Sequence, residues 1–104
     1  MKVLFVCNMG MHRSRTAAEL WHNINADETD YMGIYNEKHD HKNKLSKADL
    51  IIVMEPEQRK WISENYPDIY LKKKILCLDI KDIYRYNQPE LVELLWKKFK
   101  EIEK

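Results

Sequence analysis

The chain is predicted to fold as one three-layer α/β domain, with a four-stranded parallel sheet and helices on both faces. Three observations predict it. Two short, uninterrupted apolar runs, Val3–Val6 and Leu50–Met54, have the pattern of strands buried on both sides. Stretches with helical periodicity lie between and after these runs, which calls for right-handed crossovers and a parallel sheet. The 104 residues give room for one modest core and no second lobe, so residues 1–104 are read as a single domain.

Taken in order, Val3–Val6 is the first strand, and Ala17, Leu20, Trp21 and Ile24 then recur at helical spacing, with Ser14 or Arg15 near the helix start. Tyr31–Ile34 is read as a short second strand, and the polar stretch Tyr35–Lys47 as a loop with at most a helical turn at its end. Leu50–Met54 is the third strand. Pro56 suits the first turn of a helix that carries Trp61 and Ile62 and stops before Pro67. Ile75–Ile80 is the last strand, within which Cys77 is read as a packing residue. Pro89 and Glu90 open a closing helix whose Leu91, Leu95, Phe99 and Ile102 share a face, and Trp96 on that helix is expected in the core.

Composition narrows the partners. A formal net charge of +1 gives no reason to expect nucleic acid or a membrane surface, and Lys42–Lys47 and Lys72–Lys74 read as solvated faces. With no long apolar span and no leader pattern, a cytoplasmic protein is expected, a monomer or weak dimer. Two cysteines, Cys7 and Cys77, make neither a disulfide framework nor a zinc site, and His39 and His41 read as surface histidines, so no metal or cofactor is expected.

The chemistry is concentrated in VLFVCNMGMHRSRTAAELW, residues 3–21. Cys7 ends the first strand, five residues separate it from Arg13, and Ser14 and a helix follow. A loop ending at a helix N-terminus turns backbone N–H groups inward and adds the positive end of the helix dipole, which suits a phosphate-sized anion. The same field favours the thiolate, the form in which cysteine attacks. Arg13 can hold two phosphoryl oxygens with its planar fork, and the Ser14 hydroxyl can stabilise the sulfur as nucleophile and as leaving group. Asn8, Met9, Gly10, Met11, His12 and Ser14 are therefore expected to cradle the substrate phosphate. Hydrolysis at Cys7 also needs an acid to protonate the leaving oxygen and then to activate water; Asp82, on the loop after the last strand, is the candidate and Asp79 its rival, although Asp82 taken by itself reads as a solvated loop residue. Tyr84 and Tyr86 are expected to line the mouth and stack on an aryl group.

At these residues the chain resembles the low-molecular-weight protein tyrosine phosphatases, whose loop is a cysteine, five residues, an arginine and a serine or threonine. The likeness extends to ADLIIVMEPEQRKW, Ala48–Trp61, and to DIKDIYR, Asp79–Arg85. It implies the strand order 2-1-3-4, and it supports Asp82 as the acid, because Asp82, Ile83 and Tyr84 stand where the family has Asp-Pro-Tyr. Departures accompany the likeness. Ile83 replaces the proline, and Gly10 sits one place later than the family's usual glycine. The family's bracing asparagine is replaced, with Asn8 the candidate to serve from elsewhere. His12 stands where many members have a cysteine that could trap oxidised Cys7 as a disulfide. Arg15 stands for a common proline, and the segment before Ala48 is shorter than is usual.

The resemblance implies a metal-free phosphomonoesterase acting through a phosphocysteine on phosphotyrosine or other aryl phosphates, the substrate being a phosphorylated protein or a small aryl phosphate. Two other readings stay open. A phosphate- or phosphotyrosine-binding module without turnover fits the altered loop, and a cysteine phosphocarrier domain fits the length and VCNMGM, although a phosphocarrier has no need of Arg13 or Asp82. An arsenate reductase would require a nearby cysteine pair that Cys77 alone does not supply.

Overall fold

Strand β1 (Lys2–Cys7) pairs on both sides, with β2 (Glu28–Gly33) and β3 (Leu50–Val53), and β3 pairs in turn with β4 (Lys74–Cys77). All pairs are parallel and the order is β2-β1-β3-β4, the order that the resemblance implied. The structure is a computed structural model, and it describes residues 1–102. Five helices complete it: α1 (Arg13–Asn25), α2 (His41–Lys47), α3 (Pro56–Asn65), α4 (Pro67–Lys72) and α5 (Pro89–Ile102).

Burial on both faces explains why β1 and β3 are continuous apolar runs. Val3, Phe5 and Cys7 point to one side, where they meet Ala17, Ala18 and Trp21 of α1 and Leu91, Leu95 and Phe99 of α5. Leu4 and Val6 point to the other, toward Leu45 of α2 and Ile62 of α3. Phe5, Trp21 and Phe99 form an aromatic triad with centroids 5.0–5.9 Å apart, which ties α1 and α5 to the central strand. The helices lie on both faces, so the domain has three layers. No described helix is long and apolar enough to cross a membrane.

Several expectations are corrected. Strand β2 starts at Glu28 and ends at Gly33, where Tyr31–Ile34 was expected; as an edge strand it carries Glu28, Thr29 and Asp30, which hide the apolar pattern. Part of the expected loop Tyr35–Lys47 is helix α2, started by Asp40, whose side chain accepts from Asn43 N at 3.2 Å; Leu45 is its one buried residue, too few to show a period. Pro67 not only stops α3 but opens α4. The last strand ends at Cys77, because Asp79 turns to a left-handed φ of 55°. Leu78 N and Ile80 N still donate to Val53 O and Met54 O, so the chain stays against the sheet as it leaves. Helix α1 begins at Arg13, ahead of Ser14. Trp96 is 42% exposed, since it stands about 100° around α5 from the buried Leu95.

Candidate active site

Every element of the site sits at the carboxyl edge of the sheet, the edge at which open α/β sheets bind ligands. Cys7 is the last residue of β1, and the chain then turns through residues 8–12 into α1. Two groups converge on its sulfur: Gly10 N donates to Cys7 Sγ at 3.1 Å, and Ser14 Oγ shares a hydrogen bond with it at 3.0 Å. Both can donate to the sulfur when it is a thiolate, the form that attacks and departs.

The turn is possible because of the chain's two glycines, which lie against each other. Gly10 has φ +70°, and a Cβ there would stand 2.7 Å from Gly33 N. A Cβ on Gly33 would stand 2.1 Å from the Met9 carbonyl carbon and 2.4 Å from Gly10 N. Gly33 pairs with Cys7 in the β1–β2 register, so β2 forms a wall against which the loop is pressed. Ile34 N donates to Cys7 O, Tyr35 N to Asn8 O and Asn36 Nδ2 to Met9 O, which fixes the loop backbone on that side. Gly33→Ala is expected to lower stability by roughly 1–3 kcal/mol, because the obstructing atoms are backbone, and to weaken phosphate binding by displacing the loop. Urea unfolding together with phosphate titration by calorimetry checks this.

His39 and His41, expected at the surface, are instead part of this wall. Gly33 N donates to His39 Nδ1 at 3.0 Å, and His41 Nε2 donates to Gly33 O at 2.9 Å. Burial chiefly, then the charges of Lys44 and His41, holds His39 below the usual histidine value against the opposing pull of Asp30, so it remains the neutral acceptor that Gly33 N requires.

Arg13 is only 1% exposed, and its charge is not left free. Its Nη1 donates to Glu55 Oε1 at 2.6 Å and to Ile80 O at 2.7 Å, while Nη2 lies 3.5 Å from Asp82 Oδ1. Tethering Nη1 leaves the remaining edge of the guanidinium to an anion. Glu55, the residue before α3, was not among the expected site residues, and neither was Gln58 one turn later. Glu55 N donates to Gln58 Oε1, and Gln58 Nε2 donates to Asn8 Oδ1 at 2.7 Å, so the start of α3 braces both Arg13 and the loop. Asn8 is thus in place as a brace. The signal in the sequence was polar residues directly after an apolar strand run, level with Cys7 at the same sheet edge.

The structure brings Cys7, Asn8, Gly10, Arg13, Ser14 and Asp82 together and arranges the others around them. Asp82 is exposed apart from its approach to Arg13, whereas Asp79 is in contact with Cys77, whose Sγ lies 3.6 Å from Asp79 Oδ1. Burial raises the Cys77 thiol above its usual range. Met9 and Met11 on the loop are exposed, as are Tyr35 and Ile83. Tyr84 packs partly buried against the core, and the Tyr86 hydroxyl donates to Glu19 on α1 at 2.5 Å, which raises the phenol above its ordinary value. His12 is exposed, and its Nδ1 accepts from Tyr86 N at 3.0 Å.

Neither protein-family models nor curated protein sequences match the chain. Solved structures do. The tyrosine phosphatase Wzb from Escherichia coli K30, crystallised with phosphate, is similar at a TM-score of 0.78 and 18% identity, over 97% of this chain and 94% of that one. The YwlE arginine phosphatase from Geobacillus stearothermophilus matches at 0.64 and 21% identity, over 98% of this chain and 85% of that one. A low-molecular-weight protein tyrosine phosphatase from Bacillus subtilis matches at 0.67 and 19% identity, over the full length of both. The strand order, the loop after β1 and these matches agree: the chain has the fold of the low-molecular-weight protein tyrosine phosphatases.

Proposed function

We propose that the protein is a cysteine-dependent phosphomonoesterase acting on aryl phosphates, with phosphotyrosine the natural example. The observation that supports it most is one buried arginine, Arg13, that closes the loop on which Gly10 N and Ser14 Oγ converge on Cys7 Sγ and that also approaches Asp82.

In the first step the Cys7 thiolate attacks phosphorus and the bond to the aryl oxygen breaks, while Asp82 as the carboxylic acid gives its proton to that oxygen. In the second, water attacks phosphorus and passes a proton to the Asp82 carboxylate, and the sulfur leaves as thiolate, stabilised by Ser14. Loop N–H groups and Arg13 carry the equatorial charge throughout, so no step calls for a metal ion. The aryl preference is supported by the exposed apolar side chains of Met9 and Met11 on the loop and of Ile83 beside Asp82, which suit an aromatic ring bearing a phosphate.

The test is hydrolysis of phenyl phosphate and 2,4-dinitrophenyl phosphate with excess chelator, followed as single-turnover phosphoenzyme formation. Both should proceed and be blocked by vanadate. Asp82→Asn should slow phenyl phosphate by about a hundredfold or more, the usual value of general acid catalysis, and leave the dinitrophenyl ester, which departs unaided, nearly unchanged. Loss of activity on chelation, restored by a divalent ion, overturns the scheme. Phosphoarginine, the substrate chemistry suggested by the name of the Geobacillus protein, serves as competitor; preference for it over phenyl phosphate overturns the aryl assignment. Binding of phosphate with no phosphoenzyme formed would leave the protein a phosphate-binding module.

A further inference from the structure

We propose that His12 is a positioning residue that latches the acid loop onto the phosphate loop, rather than a group that touches substrate. The proposal rests on the reading of Asp82 as the acid.

The segment between Ile80 and Pro89 has no helix or strand, so its order depends on what holds its ends. At the near end, Ile80 N donates to Met54 O and Ile80 O accepts from Arg13. The far end is a tight turn, in which Gln88 N donates to Arg85 O, Arg85 N donates to Gln88 Oε1, and Asn87 takes a left-handed φ of 56°. Two successive backbone amides of that turn dock on the first turn of α1. Tyr86 N donates to His12 Nδ1 at 3.0 Å, and Asn87 N donates to Thr16 Oγ1 at 2.8 Å, whose hydroxyl in turn donates to His12 O.

The Tyr86 side chain reinforces the dock. Its hydroxyl donates to Glu19, and the Arg15 guanidinium lies over its ring at 4.3 Å from the centroid. Asp82 is suspended between these two anchors, and among the described residues its carboxyl is held only by the 3.5 Å approach to Arg13. Since His12 directly precedes Arg13, the bond from Tyr86 N couples the acid loop to the very turn that carries the arginine. An imidazole that accepts at Nδ1 holds its proton on Nε2, and a side chain with no acceptor at that place cannot make the bond. His12 is exposed, so replacing it does not disturb the core.

The experiment compares His12→Ala with His12→Asn, whose Oδ1 reaches the place of Nδ1. In His12→Ala, exchange of the Tyr86 amide with deuterium should speed up, and phosphoenzyme formation from phenyl phosphate should fall about fivefold to tenfold, the scale set by one hydrogen bond that orders a loop. The dinitrophenyl ester should fall less than about twofold, because its leaving group does not call on the acid. His12→Asn should restore both readouts. Unchanged amide exchange, or equal slowing of the two esters, overturns the latch. If Asp82→Asn itself fails to separate the two esters, the acid assignment falls and the latch's catalytic role with it. Separation by Asp82→Asn with none by His12→Ala overturns the latch alone.

Discussion

Cys7→Ser is expected to abolish turnover while phosphate still binds. An alcohol at neutral pH is a poor nucleophile, so release of nitrophenol from p-nitrophenyl phosphate should drop by at least about a thousandfold. The cradle should survive, because a serine oxygen can replace the sulfur as partner of Gly10 N and Ser14 Oγ, and the loop shape comes from Gly10, Gly33 and the Gln58–Asn8 contact. Phosphate titration of the variant by calorimetry, beside its turnover, separates the two roles. Near wild-type turnover would make the cysteine structural. Loss of phosphate binding together with turnover would mean that the loop's shape depends on the thiol.

What the sequence disclosed was what local chemistry or two-sided burial imposes. β1 and β3 are legible because a strand covered by helices on both faces has no position for a polar residue, and Val3–Val6 and Leu50–Val53 contain none. β2 lies at the edge, so Glu28 and Asp30 are tolerated, and Asp30 is satisfied by Lys44 at 2.8 Å only because α2 passes over it. Helix α2 was hidden for a related reason: the burial of Leu45 is a property of the fold, and the lysines and Asn43 around it carry no period.

The site divides in the same way. Cys7, Gly10, Arg13 and Ser14 are neighbours in the chain, and their spacing lets the strand-to-helix loop be expected without coordinates. Glu55 reaches Arg13 across 42 positions, and Gln58 reaches Asn8 across 50. These contacts exist because β3 lies beside β1, a pairing that spacing along one strand does not reveal. Gly33 carries no signal in the sequence, because the reason for glycine there is the approach of Met9 and Gly10, which belongs to the tertiary structure. The histidines were misread by the same limit. His39 and His41 stand in a polar stretch, and only the position of Gly33 between their rings makes them part of the loop's wall.

Arg13→Lys is expected to cost on the order of a hundredfold or more in turnover, the usual effect of removing one well-placed transition-state contact. Lysine keeps the positive charge, so a role limited to attracting an anion would survive the change. The fork would not. Arg13 uses Nη1 to hold Glu55 and Ile80 O while Nη2 faces Asp82, and a single ammonium cannot hold those partners and two phosphoryl oxygens together. Because Arg13 is buried beside a carboxylate, the variant also risks a loss of stability, so thermal unfolding has to accompany the kinetics. Glu55→Gln supplies the comparison: it keeps an acceptor for Nη1 and leaves the arginine intact, so its turnover should fall far less than that of Arg13→Lys. A folded Arg13→Lys protein with turnover reduced less than about threefold would place Arg13 outside the phosphoryl site, its charge serving Glu55 and the fold. A Glu55→Gln variant as impaired as Arg13→Lys would instead make the carboxylate, and not the fork, the element on which the geometry of the loop depends.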